Sequence, residues 1–216
     1  MPTALTIAGS DSSGGAGIQA DLKIDTTKIG MLATAAIVEA VAAAIEELEL
    51  PMVVVDPVLV SSSGERLLDA DGVQTLISEL LPLARAVTPN IPEAEALSGC
   101  RISSANDARK AASRIREMGA ATVIITGGHG SGTEVIDFLC DHDDFTELRV
   151  PRIGGGHVHG TGCAYASALA AGLALGQSLP ESARHAQAYV AGAMKHALKV
   201  GRGAGLLDHF WQRKSG

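Results

Sequence analysis

Short apolar runs alternate along this chain with longer stretches in which apolar positions recur every three or four residues. Residues 3–8, 52–55, 84–88 and 122–126 are brief runs closed by Gly, Pro, Asp or Asn, and they predict buried strands. Thr34 is placed to cap a helix over 35–48, an Ala/Ile/Val stripe broken by Glu and stopped by Pro51. Further helices are predicted to start within 16–23 and to cover 71–81, 92–97, 160–175 and 181–200. Ser104 with Asp107 three residues on resembles a capping box for a helix reaching Met118. Residues 134–139 and 145–150 read as a β-hairpin around a polar turn at 141–144. Strands alternating with helices predict an α/β fold with a mostly parallel, covered sheet, and no repeat or linker divides residues 1–216 into more than one domain. Ligands of such sheets bind beyond the carboxyl ends of the strands. Those ends carry Gly9-Ser10-Asp11, Asp56-Pro57, Thr88-Pro89-Asn90 and Thr126-Gly127-Gly128-His129.

Composition narrows the function. A length of 216 residues suits one α/β domain, and 46% hydrophobic content excludes a disordered chain. Lys+Arg 17 against Asp+Glu 24, with 3% aromatic residues, argues against a nucleic-acid binder, which needs a basic face and bases to stack on. Cys100, Cys140 and Cys163 are far apart and odd in number, which predicts a reducing, cytoplasmic setting. The N-terminus lacks a signal-peptide pattern, and the Ala-rich stretch 163–176 is short of the ~20 residues that span a bilayer, so no membrane partner is expected.

The strongest chemical signal is Gly154-Gly155-Gly156-His157-Val158-His159-Gly160-Thr161-Gly162-Cys163, running straight into a helix. Small residues at a helix start let backbone N–H groups converge on an oxyanion, or merely allow close packing. Cys163 in the first helical turn is expected to have a lowered thiol pKa and to be a candidate base. No Lys-Ser/Thr follows the glycines, so this is not a Walker A loop. Gly14-Gly15-Ala16-Gly17 is a weaker turn signal, and Asp21 beyond it reads on its own as a surface charge. Asp56, Asn90 and Glu93 offer oxygens that suit Mg²⁺, directly or through water. Asn90 and Glu93 equally suit a capping box, and the two readings are compatible. His157 and His159 lack a third ligand nearby and make a poor zinc pair; ordering the loop or meeting phosphate fits them better.

Several blocks together resemble one known family. Residues 4–23, with Gly9-Ser10-Asp11-Ser12-Ser13-Gly14-Gly15-Ala16-Gly17 and Asp21-Leu22-Lys23, resemble the N-terminus of hydroxymethylpyrimidine/phosphomethylpyrimidine kinases, the thiamine-pathway members of the ribokinase-like superfamily. Lys28-Ile29-Gly30-Met31-Leu32, Val55-Asp56-Pro57-Val58, Thr88-Pro89-Asn90-Ile91-Pro92-Glu93, His159-Gly160-Thr161-Gly162-Cys163 and Gly205-Leu206-Leu207-Asp208 are similar to the later blocks, in the same order. The resemblance implies a ribokinase-like α/β fold, a central mostly parallel sheet flanked by helices on both faces. It implies transfer of the ATP γ-phosphoryl group to 4-amino-5-hydroxymethyl-2-methylpyrimidine and then to its monophosphate, with ATP and Mg²⁺ as cofactors. Under it, Gly9, Asp21, Met31 and Val58 line the substrate, while Asn90, Thr126, Gly128, Gly160 and Gly162 hold nucleotide and phosphate. Asp56 and Glu93 serve Mg²⁺; Gly160, Thr161 and Gly162 form an anion hole, and Cys163 stands where most ribokinase-like relatives have a catalytic Asp. A homodimer is expected from the apolar, Ala-rich helices.

Two departures from the family pattern stand out. Thr126 occupies a place where many members have Lys, so a hydroxyl replaces a full positive charge beside the phosphates. Between Lys23 and Lys28 the family has several tens of residues, including a glutamine that recognises the pyrimidine, whereas only Ile24-Asp25-Thr26-Thr27 remain here. Either part of the substrate pocket is lacking, or two stretches are joined across an omitted segment; the second alternative, which is preferred, requires a break in the backbone. Competing functions are a pyridoxine/pyridoxal kinase, and a non-catalytic pyrimidine-binding protein on the same fold.

Overall fold

In the computed structural model of the chain, which describes residues 2–7, 24–61, 64–128, 132–142, 144–154, 158–198 and 205–214, the apolar runs assemble into a seven-stranded sheet. Its strands lie in sequence order: β1 (Ala4–Ile7), β2 (Thr26–Ile29), β3 (Val53–Val55), β4 (Ala86–Val87), β5 (Thr122–Ile125), β6 (Glu134–Asp141) and β7 (Asp144–Pro151). The first five run parallel; β6 and β7 are the predicted hairpin and pair antiparallel, with Ile125 opposite Phe138.

Both faces are covered, and the period of two along each strand divides the core. Val53, Val55, Val123 and Ile125 face one layer, whereas Val54 and Ile124 face the other. The first layer holds α1 (Ala35–Glu47), α2 (Ala70–Thr75), α3 (Ile91–Ser98) and α4 (Ala105–Glu117). In α1, Val38, Val41, Ala42 and Ile45 are buried, the i, i+3, i+4, i+7 stripe of an amphipathic helix. Thr34 caps it through its hydroxyl, which accepts from the Ile37 N–H. The helix predicted over 71–81 runs as α2, then a π turn Leu76–Leu80, then a 3₁₀ turn Leu81–Leu83 containing Pro82.

The second layer holds α5 (Thr161–Ala174) and α6 (Leu179–Lys195). α6 starts two residues earlier than expected, because Ser178 and Glu181 form a reciprocal capping box, and it ends at Lys195. Gly172 meets α6 with no room for a side chain: a Cβ there would lie 2.7 Å from Ser182 Oγ. Gly172 therefore serves a close crossing of α5 and α6 within the chain. A short parallel pair, β8 (Val158–His159) with β9 (Gly205–Leu206), holds the segment that leads into α5.

β2 has no counterpart among the predicted strands. Three of its four residues are Thr26, Thr27 and Lys28, yet all four are buried. Ile24 and Asp25 lead into it without a break, and the Asp25 N–H donates to the Thr3 carbonyl at 2.8 Å. Lys23, where the expected join would begin, lies outside the described residues.

α5 carries Cys163 into the molecule, so its docking controls the site. Leu169 is fully buried between α5, α6 and the sheet. Leu169→Ala is expected to lower the unfolding free energy in a urea titration by about 2–5 kcal/mol, the range of Leu→Ala cavities in cores. A loss below about 1 kcal/mol would contradict this packing.

Candidate active site

The parallel ladder continues past the strand ends and sets the site residues side by side. The Asp56 N–H donates to the Ile29 carbonyl, Thr88 N–H to Val55 and Thr126 N–H to Pro89, each at 2.9 Å. Asn90 and Thr126 form a parallel bridge. Met31, Asp56, Asn90 and Thr126 therefore follow β2, β3, β4 and β5 along one edge of the sheet, where such folds bind ligands. Val58 lies just past Asp56, its N–H on the Asp56 carbonyl; Met31 and Val58 are both half-buried. Gly9 and Asp21 lie outside the described residues, as do His157 and the side chain of His159.

A buried ion pair lies at the centre of this row. Lys28 Nζ is 3.7 Å from Asp56 Oδ2, with both side chains buried. Asp56 Oδ2 has no hydrogen-bond partner among the described residues. Burial pushes the Asp56 carboxyl up, while the Lys28 charge and a hydrogen bond from the Cys163 thiol pull it back. Nothing in the mostly polar local sequence Asp25-Thr26-Thr27-Lys28 singles out Lys28 as a site residue.

Cys163 differs from expectation. Its thiol pKa is pushed up to about 12, first by burial, then by the Asp56 charge; Lys28 lowers it, and the Asp56 hydrogen bond and the Glu93 charge raise it further. The helix N-terminus favours a thiolate by about 1 kcal/mol, too little to offset two nearby carboxylates. The residue as a whole is nevertheless exposed to solvent, at the N-terminal turn of α5.

The N-terminus of α5 is open. Gly160, the N-cap, takes φ +85°, a left-handed conformation that favours glycine, and no side chain caps the helix. A Cβ at Gly160 or Gly162 would meet nothing within 4 Å. Gly128 is exposed with equally open space around its Cα.

Asn90 and Glu93 form the capping box of α3: Asn90 Oδ1 accepts from the Glu93 N–H and Glu93 Oε2 from the Asn90 N–H, each at 2.9 Å. Burial pushes Glu93 up to about 7; the Asn90 N–H lowers it, Asp56 raises it, and the Leu59 N–H lowers it. Two carboxylates thus share a poorly solvated site with one lysine, a donor set that fits a Mg²⁺ held by few protein oxygens and several waters. No cluster of three or more His, Cys, Asp or Glu suited to a metal occurs among the described residues. No helix among them is long and apolar enough to cross a membrane.

The Glu93 environment sets a pH dependence. The native carboxyl binds its proton more tightly than the unfolded one, so stability falls as pH rises through the window from 4.5 to about 7. Glu93→Gln keeps an acceptor for Asn90 and is expected to raise stability by about 1–3 kcal/mol near pH 8. Chemical denaturation should show that gain fading toward about pH 4.5. A less stable variant at pH 8, or a difference independent of pH, would contradict the assignment.

Comparison with known proteins agrees with this geometry. A sequence profile of phosphomethylpyrimidine kinases matches residues 22–208. The hydroxymethylpyrimidine/phosphomethylpyrimidine kinase of Bacillus subtilis is 38% identical over 255 aligned positions, which cover 96% of this chain and 94% of that protein. The aligned length exceeds the 216 residues of this chain, so the relative carries residues that this chain lacks. The thiamine biosynthesis bifunctional protein ThiED of Geobacter sulfurreducens is 38% identical over 252 positions; this chain spans 51% of its length. The crystal structure of an ADP complex of Bacillus subtilis pyridoxal kinase superposes with a TM-score of 0.87 at 32% identity, over 99% of both chains. The mostly parallel sheet with helices on both faces is the ribokinase-like fold, and the chain belongs to the phosphomethylpyrimidine kinase family of phosphotransferases.

Proposed function

We propose that this chain moves the γ-phosphoryl group of ATP to the hydroxymethyl oxygen of 4-amino-5-hydroxymethyl-2-methylpyrimidine, and then phosphorylates the monophosphate to the pyrophosphate used for thiamine. The observation that carries the reading is the uncapped, open N-terminus of α5, with the exposed Cys163 in its first turn and electrostatically coupled to the buried Asp56. Phosphoryl transfer needs alignment and positive field more than covalent chemistry. The N–H groups of Thr161, Gly162 and Cys163 supply such a field at Gly160. Mg²⁺ bound through Asp56 and Glu93 oxygens, directly or through water, adds charge compensation on the phosphates.

A thiol held at about 12 does not act as a pre-formed thiolate. Cys163 instead relays: its sulfur accepts the alcohol O–H while its own S–H faces Asp56. As the new O–P bond forms and the bond to ADP breaks, the alcohol proton goes to sulfur and the thiol proton to the Asp56 carboxylate. Lys28 compensates the Asp56 charge before the transfer. Met31 and Val58 form the pyrimidine side of the pocket and Asn90, Thr126 and Gly128 the nucleotide side; Gly9 and Asp21, assigned to the pyrimidine by the family resemblance alone, lie outside the described residues. Thr126 offers its phosphate only a hydroxyl, so the second, more highly charged acceptor is served less well than the first.

The second reading is pyridoxal phosphorylation, favoured by the 0.87 TM-score to a pyridoxal kinase. Incubating the purified protein with ATP, Mg²⁺ and each alcohol in turn, with phosphorus NMR of the products, separates the two. The pyrimidine alcohol should give monophosphate and then pyrophosphate; product from pyridoxal alone, or none from folded protein, would overturn the proposal. Cys163→Ala should lower kcat by about 100-fold or more with the KM for ATP nearly unchanged. Cys163→Ser, whose hydroxyl can accept and donate in the same way, should keep more activity than the alanine variant. Near-normal turnover in Cys163→Ala would remove the relay.

A further inference from the structure

Asp137 lies on β6, away from the Lys28–Asp56 pair, and the reaction as derived above does not use it. It is buried, and its Oδ1 accepts the Gly127 N–H at 2.8 Å. Burial pushes its carboxyl up to about 6, against the Gly127 N–H and the Gln187 amide. Gly127 is pinned from the same strand in a second way: a Cβ there would fall 1.9 Å from the Ile136 carbonyl oxygen, so only glycine lets the turn lie this close to β6. From the other side, Arg152 reaches across with its whole guanidinium. Its Nη1 donates to the Gly128 carbonyl at 2.8 Å, Nε to Gly132 at 2.7 Å and Nη2 to Glu134 at 3.3 Å. The Gly127-Gly128 dipeptide is thus held at its outer N–H and its outer carbonyl, on either side of the peptide that joins the two residues. The Gly128 N–H has no acceptor among the described residues, and open space lies over its Cα.

We propose that Asp137 and Arg152 are positioning residues that brace the Gly127-Gly128 turn from opposite sides, so that its open peptide face receives the phosphates of the nucleotide. The inference rests on the nucleotide reading given above, in which Thr126 and Gly128 face ATP. The two residues do not touch the alcohol or the transferred group, so they act on nucleotide affinity and leave the aligned transfer step alone. The chemistry also separates conservative variants. Asp137→Asn retains an oxygen for the Gly127 N–H. Arg152→Lys cannot span three carbonyls, because a single ammonium lacks the planar fork.

The test is calorimetric titration of the purified chain with ADP, alongside the thermal midpoint and the KM for the alcohol. Arg152→Ala and Arg152→Lys should each weaken ADP binding about tenfold, the scale of one or two lost hydrogen bonds. Their KM for the alcohol should stay within about twofold of wild type, well under the tenfold that 1.4 kcal/mol represents. Asp137→Ala should do the same, and Asp137→Asn should bind ADP within about threefold of wild type. Should Asp137→Ala fail to fold, the Arg152 pair and Asp137→Asn still decide the matter. ADP affinity unchanged in Arg152→Ala, or a proportional loss for ADP and alcohol, would overturn the brace alone. Absence of ADP binding by the wild-type chain would overturn the nucleotide reading and the brace with it.

Discussion

The site depends on one buried ion pair, Lys28 with Asp56, set by two neighbouring parallel strands. Neither charge reaches water, so each is tolerable there only beside the other, and removing one partner of such a pair costs about 3–5 kcal/mol. Register supplies the proximity: Lys28 lies opposite Val54, two residues before Asp56. What the pair accomplishes goes beyond holding strands together. An Asp56 carboxylate balanced by Lys28 can accept the Cys163 thiol, and the thiol in turn is presented to solvent at the open end of α5. Strand register, helix docking and thiol chemistry thus meet at one carboxylate.

Much of this was legible in the sequence where the signal is local. Thr34, Ser104 and the Asn90–Glu93 box announce helix starts through side chains that bond the nearest turn, and the structure forms those caps. For Ser104 the predicted box is incomplete: the Asp107 carboxylate accepts from the Ser103 N–H and the Ser104 hydroxyl, not from the Ser104 N–H. The valine runs announced strands covered on both faces. β2 was invisible because Thr26, Thr27 and Lys28 are polar by type, and the partner that offsets the burial of Lys28, Asp56, comes from another strand. The acidity of Cys163 was misjudged for the same reason. Its place at a helix start can be read from neighbouring residues, whereas the burial that raises its pKa, and the Asp56 charge that adds to it, come from the tertiary fold.

Family membership and the residues agree on phosphoryl transfer, and they differ in what they explain. The family relation accounts for the order of the blocks along nearly the whole chain. The local physics accounts for why a row of strand ends, a glycine-led helix start and two carboxylates occur together. The aligned relative carries residues that this chain lacks. Among the described residues, β1 pairs with β2 and β2 with β3, which sets Lys28 beside Asp56.

The central claim is electrostatic: at working pH Cys163 is a protonated thiol directed at Asp56. Ultraviolet absorbance of the thiolate, taken as the difference between wild type and Cys163→Ala over about pH 6–10, measures that state directly. The account predicts a flat difference up to at least about pH 9, because burial and Asp56 hold the proton on sulfur. A thiolate titrating with a midpoint below about pH 8 would contradict it.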